Sequence, residues 1–318
     1  MLNIIRFIQN ENMKIYKRIG TWVMVGVLIL TVVIGGLVTK YMMNVYETED
    51  WQLALQTENQ QLTDQIAQLN DMEMGSAAQP LHHQISINEY RITNNVPPVE
   101  SGTLWGFMMT VPDFTALASV FVIVIGAGIV AGEFSTGTIK LLLIRPVNRF
   151  KILLSKYIAT LLFAVVLLAL LFLSSFAVGR ILFGFGGGQL PYLVYNGEEV
   201  VERSMITQIM SFYAFNSIDL VMMVTFAFMI STVFRSGSMA IGLSLFLMFT
   251  GGQVVQLFNQ YDWVKYILFT HTNLSQYNNG TPIVEGMTMS YSIMMLCIYF
   301  ILFIGISFIT FQKRDVVA

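Results

Sequence analysis

The sequence predicts an all-α membrane protein with six transmembrane helices, and three observations carry that prediction. Of the 318 residues, 55% are hydrophobic and only 11% are charged, whereas soluble domains carry about 25% charged residues. Six apolar runs are long enough to cross a hydrocarbon core, which takes roughly 20 helical residues. The polar stretches between the runs divide the basic residues unevenly into two sets. Helices suit such runs because lipid offers an open backbone no hydrogen-bond partner.

The chain reads in order as follows. Residues 1–19 mix Leu2, Ile4, Ile5, Phe7, Ile8, Met13 and Ile15 with basic residues, a pattern that predicts a helix lying in the membrane interface. The first span is about Gly20–Met42. No A-x-A-like site follows it, so it reads as a retained span and not a cleaved signal. Residues 43–112 form the longest polar stretch, and a helix is predicted there over about 50–73. Within it Leu55, Leu62 and Leu69 recur every seven residues, with Asn59 and Ile66 between them. With leucine at d, Asn59 and Ile66 take the a positions of a short coiled-coil seam. That seam reads either as an external contact with a second copy or as one face of an amphipathic helix resting on the membrane domain.

Residues 113–318 hold the other five spans, at about Phe114–Gly132, Ile152–Val178, Ser211–Phe234, Ser238–Phe258 and Tyr291–Phe311. The stretch 179–204, with Gly184, Gly186, Gly187 and Gly188, reads as a flexible loop. Residues 259–290 bring Tyr261, Trp263, Tyr266 and Phe269 together, as in an interfacial aromatic belt, with room for a short re-entrant helix. The single cysteine, Cys297, lies inside an apolar run and reads as a small buried hydrophobe.

Charge sets the orientation. Twelve of the 17 basic residues fall on one set of flanks: Arg6, Lys14, Lys17, Arg18, Lys140, Arg145, Arg149, Lys151, Lys156, Arg235, Lys313 and Arg314. The opposite flanks hold most of the acids. The positive-inside rule then puts both termini in the cytoplasm.

The link at about 133–151 carries the functional signal. Gly132 to Thr138 is not a P-loop, because Thr138 stands where the phosphate-binding lysine is required; the chain is therefore expected to bind no ATP and to be no enzyme. Glu133 marks the end of the second span, Gly137-Thr138 lets the chain turn, and Ile139–Ile144 is an apolar run too short to span. Pro146 then breaks any helix. The whole reads as a short helix parallel to the membrane, able to pass force to a soluble partner.

Glu133-x3-Gly137-Thr138, the leucines after it, and Arg145-Pro146-Val147 with Arg149 resemble the permease subunit of type-two ABC exporters. Glu11-x2-Lys14 in the leading helix and the order of six spans extend the likeness over essentially the whole chain. The resemblance implies two soluble ABC ATPase subunits as partners, carrying ATP and Mg, and a second permease subunit, identical or different. It implies a bacterial cell membrane as the location, a coupling helix in this link, and ATPase contacts at Glu133, Gly137, Thr138, Lys140, Arg145, Pro146 and Arg149. No cofactor or metal in this chain and no nucleic acid is implied.

Asp219 lies inside the fourth span, and acids there usually face a cavity or a partner. With Asn216 and Gln253 it marks a candidate substrate path or subunit contact. The mostly apolar spans favour a hydrophobic or amphipathic cargo, such as a peptide antibiotic. Two other readings stand beside export: an ion-coupled secondary transporter, and an ABC-type sensing or immunity complex that does not itself export. A membrane enzyme lacks support, since His82, His83 and His271 form no cluster with acids or a serine.

Overall fold

A computed structural model describes residues 2–45, 50–72, 75–138, 148–186, 190–278, 282–284 and 286–313. Helix α1 (Leu2–Tyr16) is amphipathic and turns at Lys17-Arg18 into α2 (Ile19–Val45). The turn is fixed by the Thr21 hydroxyl, which donates to the Ile15 carbonyl at 2.6 Å. Helices α3 (Trp51–Asp71) and α4 (Gly75–Asn94) follow, then α5 (Leu104–Thr110), a 3₁₀ turn at Val111–Phe114, and α6 (Thr115–Ser135). Helix α7 (Arg149–Phe183) leads into strands β1 (Tyr192–Tyr195) and β2 (Val200–Arg203). Helices α8 (Met205–Phe234), α9 (Gly237–Leu257), the short α10 (Leu268–Thr272) and α11 (Met289–Lys313) complete the chain.

Six helical segments are long and apolar enough to cross a membrane: α2, α5–α6, α7, α8, α9 and α11. They match the six runs of the sequence, most of them lengthened by a turn or two. The second begins at Leu104, ten residues earlier than the apolar run suggests, because Pro112 kinks the segment without ending it. The α5–α6 and α8 segments form the centre: 61% of their apolar windows are buried, against 22% in α9 and α11. Outward rows such as Val23, Val27, Leu30, Ile34 and Leu37 on α2 are exposed, as suits a lipid-facing surface; Cys297 of α11 is exposed too, not buried as its apolar run suggests.

Small residues let the two central helices approach. A Cβ on Gly126 of α6 would lie 2.7 Å from Val224 Cγ2 of α8. Nearby, the Ser231 hydroxyl donates to the Ala127 carbonyl and accepts from the Ala131 amide. Tyr157 of α7 lies 2.7 Å from the Thr225 hydroxyl, tying the third span to the fourth. Such bridges matter between membrane helices, where lipid supplies no hydrophobic drive to associate.

The polar stretch after α2 holds two helices where the sequence predicts one. α3 and α4 form an antiparallel pair closed at one end by Gln52 Nε2 donating to Asn95 Oδ1 at 3.1 Å. Leu55 and Ile66 are buried on the seam, Leu62 and Leu69 are half-buried, and Asn59 accepts from Asn88 Nδ2 of α4 at 2.9 Å. The seam is therefore filled from within the same chain.

The loop at 179–204 is also more ordered than its glycines suggest. α7 continues to Phe183, and residues 192–203 form an antiparallel hairpin pairing Tyr192 with Arg203 and Tyr195 with Val200. The turn is built by Asn196, whose Oδ1 accepts from the Glu198 and Glu199 amides, and by Gly197 at φ 102°, a value that favours glycine. α4 packs on this hairpin: His83 stacks on Tyr195 at 4.2 Å, and Tyr90 donates to Glu202.

In 259–290, α10 is flanked by 3₁₀ turns at Asp262–Tyr266 and Leu274–Tyr277. Phe269 of α10 presses on α9 at Gly251, where a Cβ would lie 2.3 Å from the ring. Overpacking of a close-packed site costs about 1–3 kcal/mol. Gly251→Val is expected to lower the thermal midpoint of the detergent-solubilised protein, and Phe269→Ala in the same chain to recover part of the loss.

Candidate functional site

At the end of the bundle that holds α1 and the last turn of α6, four charged side chains meet. Lys14 Nζ lies 2.7 Å from Glu11 Oε1 and 3.0 Å from Glu133 Oε1. Lys156 Nζ lies 3.0 Å from Glu11 Oε2 and 2.7 Å from Glu133 Oε1. Two cations and two anions balance. Lys156, Glu11 and Glu133 are interior, with side chains 1%, 6% and 14% exposed, and Lys14, 41% exposed, closes the cluster at its rim. Burial opposes the Lys14 ammonium, but Glu11 and then Glu133 outweigh it and hold its pKa above the ordinary lysine value.

The local sequence builds this cluster. Glu11 and Lys14, three apart, share one face of α1. Glu133 sits two residues before the end of α6, and Lys156 two turns into α7, whose first turn is capped by Asn148 accepting from the Phe150 amide. The cluster therefore pins the leading helix to both segments that flank the 139–147 link. Arg149 adds a further tie by donating to the Gln312 carbonyl of α11 at 3.2 Å.

Among the residues singled out in the link, Glu133 points into the cluster, where Oε1 takes both lysines. Gly137 adopts φ 70° and ends α6, which is the turn expected of it. Thr138 lies 2.9 Å from the Thr136 hydroxyl. Lys140, Arg145 and Pro146, with the expected helix at Ile139–Ile144, lie outside the described residues. The sequence alone places Lys156 among the flanking cations. Its signal was present: a lysine inside an apolar helix has to find a partner.

At the other end, about 30 Å away along α6 at 1.5 Å per residue, a cavity of about 550 Å³ opens between α8, α9, α10 and the Pro112 kink. Asp219, Asn216 and Gln253 all line it, so the three polar points of the fourth and fifth spans do converge. Asn216 Nδ2 donates to the Pro112 carbonyl at 3.0 Å, which also accepts from the Thr115 hydroxyl at 2.6 Å. Thr272 lines the cavity as well, its hydroxyl donating to the Phe269 carbonyl at 3.5 Å. Asp113 also lines the cavity; in the sequence it stands at the edge of the second apolar run, where an acid carries no signal of its own.

The fold and these two sites define a multi-pass α-helical membrane protein with a charge-locked end and a polar cavity at the other. The chain belongs to the family described as "Protein of unknown function (DUF2705)", whose profile matches residues 79–317. That match includes Glu133, Lys156 and Asp219 but not α1. The chain is 41% identical to "Uncharacterized protein YhcI" of Bacillus subtilis (strain 168) over 319 residues, 99% of each chain. It is 32% identical over 216 residues to "Uncharacterized membrane protein YdbK" of the same organism, covering 66% of this chain and 82% of that one.

α10, which walls the cavity, is held by a buried histidine. His271 faces the Lys265 carbonyl through Nε2 at 2.9 Å and the Ser292 hydroxyl through Nδ1 at 2.8 Å. The carbonyl can only accept, so Nε2 carries the proton and Nδ1 accepts from Ser292. Burial pushes the His271 pKa below the ordinary histidine value, partly offset by the Lys265 carbonyl. The native state thus binds fewer protons than the unfolded chain. Its stabilising share is complete above about pH 6.5 and is lost as pH falls through the lower native value. Thermal midpoints from pH 7.5 down to pH 5 are expected to fall for the native protein and to fall less for His271→Gln.

Proposed function

We propose that this chain is the permease subunit of an ATP-driven exporter of the type-two ABC class, moving a hydrophobic or amphipathic substrate, such as a peptide antibiotic. ATP and Mg are bound by two separate soluble ABC ATPase subunits, and a second permease subunit completes the assembly. The membrane is the bacterial cell membrane, with both termini and the charge-locked end in the cytoplasm, where twelve of the 17 basic residues fall.

The observation that carries this reading is the Glu11–Lys14–Glu133–Lys156 cluster. A force applied to the 139–147 link reaches α6 and α7 directly, and the cluster makes α1 move with them. A motor that pushes there shifts three helices as one body. The cavity at the far end of α6 supplies the place where such a shift changes access. No residue of this scheme hydrolyses nucleotide; the residues transmit.

The folded external unit favours a second reading. α3 and α4 docked on the β1–β2 hairpin are a built structure, not a slack loop, and suit ligand capture in a sensing or immunity complex worked by the same ATPases. Replacing residues 50–94 by a flexible linker abolishes ligand response and spares ATPase coupling on that reading.

Mild-detergent capture of the tagged full chain, with mass identification of its companions, tests the proposal. The expected result is co-purification of a soluble ABC ATPase, and no ATP hydrolysis by the chain alone. Gly137→Val strains a left-handed turn that faces open space. It is expected to lower ATPase activity coupled to the permease by about tenfold, equal to ~1.4 kcal/mol, with the thermal midpoint of the bundle little changed. Capture without any ATPase, or hydrolysis by the isolated chain, contradicts the proposal.

A further inference from the structure

The cavity beside Asp219 has a charge and a lining that restrict what it can hold. Its volume of about 550 Å³ lies within the range of small-molecule sites, roughly 300–1,000 Å³. Among the described residues, two acids line it, Asp113 and Asp219, and no lysine or arginine does. Asp113 is exposed at the mouth, while Asp219 sits deeper, on the fourth span. An ionised carboxylate accepts about four hydrogen bonds, and among the described residues no lysine or arginine stands beside Asp219 in the lining. A carboxylate drawn away from water keeps its charge when a cation stands beside it and otherwise tends toward the neutral acid.

The rest of the wall is mixed: Asn216, Gln253, Gln256, Thr272, Asn273 and Ser275 are polar, and aromatic and thioether side chains stand among them. Phe212, Phe249 and Phe269 present rings, whose faces attract cations, most of all where water is excluded. Met223 and Met248 add polarisable, adaptable side chains. Gly252 leaves the α9 side open, with nothing within 4 Å of a Cβ placed there.

We propose that this cavity is a binding site for an amphipathic organic cation, with Asp219 opposite its positive group, the Phe and Met wall around its apolar body, and Asp113 drawing it to the mouth. As a statement about cargo, this rests on the transport reading above. As a statement about binding, it is tested without any ATPase.

The test uses the full chain in mild detergent and equilibrium dialysis against two probes of one shape and opposite charge, tetraphenylphosphonium and tetraphenylborate, with empty micelles as the blank. Native protein is expected to bind the phosphonium at least about tenfold more tightly than the borate, a difference of ~1.4 kcal/mol. Asp219→Asn keeps the side chain's size and is expected to weaken phosphonium binding about tenfold or more, and to leave the borate unchanged or slightly improved. Asp113→Asn produces a smaller loss, greatest at low salt. Gly252→Trp fills the mouth from a position with open space and is expected to abolish phosphonium binding with an unchanged thermal midpoint.

Equal uptake of both probes, or full phosphonium affinity in Asp219→Asn or Gly252→Trp, overturns the assignment. Loss of cation selectivity with an ATPase still captured removes the cargo assignment and leaves the motor reading standing. Selective cation binding with no ATPase captured does the reverse.

Discussion

Four charges at one end of the bundle set the terms for the rest of the structure. Lys156 is almost wholly buried, and an ammonium in that position is tolerable only with anions around it. Glu11 and Glu133 provide them from two other helices, and Lys14 balances the second negative charge. Removing one member of such a cluster leaves an uncompensated interior charge, which costs about 3–5 kcal/mol. A hydrophobic replacement of the whole set could be equally stable. The ions give instead a particular registration: α1 can dock in one place only, against the last turn of α6 and the second turn of α7.

That registration has a mechanical consequence. α6 runs from the charge cluster to the Pro112 kink and is packed to α8 through Gly126, Ala127 and Ser231. These contacts are close and hydrogen-bonded, so α6 and α8 resist sliding independently. α6 thus links the charge cluster at Glu133 to the Pro112 kink, and its partner α8 carries Asn216 and Asp219 into the cavity wall.

The parts legible in the sequence are those set by local composition. Apolar length is a property of each run taken alone, so six spans were readable, and polar residues inside spans four and five were readable as one site. Gly137 was readable because its φ of 70° is a demand of the turn itself. The parts not legible depend on partners distant in sequence. Helix α4 has a weak apolar stripe because its face is shared between α3 and the β1–β2 hairpin and stays half-buried. Asn59 looked like a position for pairing with a second copy, but Asn88, 29 residues away, takes it. Lys156 looked like one more flanking cation, and only the meeting of α1, α6 and α7 shows that it is interior.

The central claim is that Glu11 and Lys156 act as one unit joining α1 to α7, and a charge-swap cycle tests it most directly. Glu11→Lys and Lys156→Glu each place like charges in the cluster, and each is expected to lower the thermal midpoint of the purified chain sharply. The double exchange restores opposite charges, and the account predicts recovery of most of the loss. A double variant whose loss is the sum of the two single losses would contradict the account.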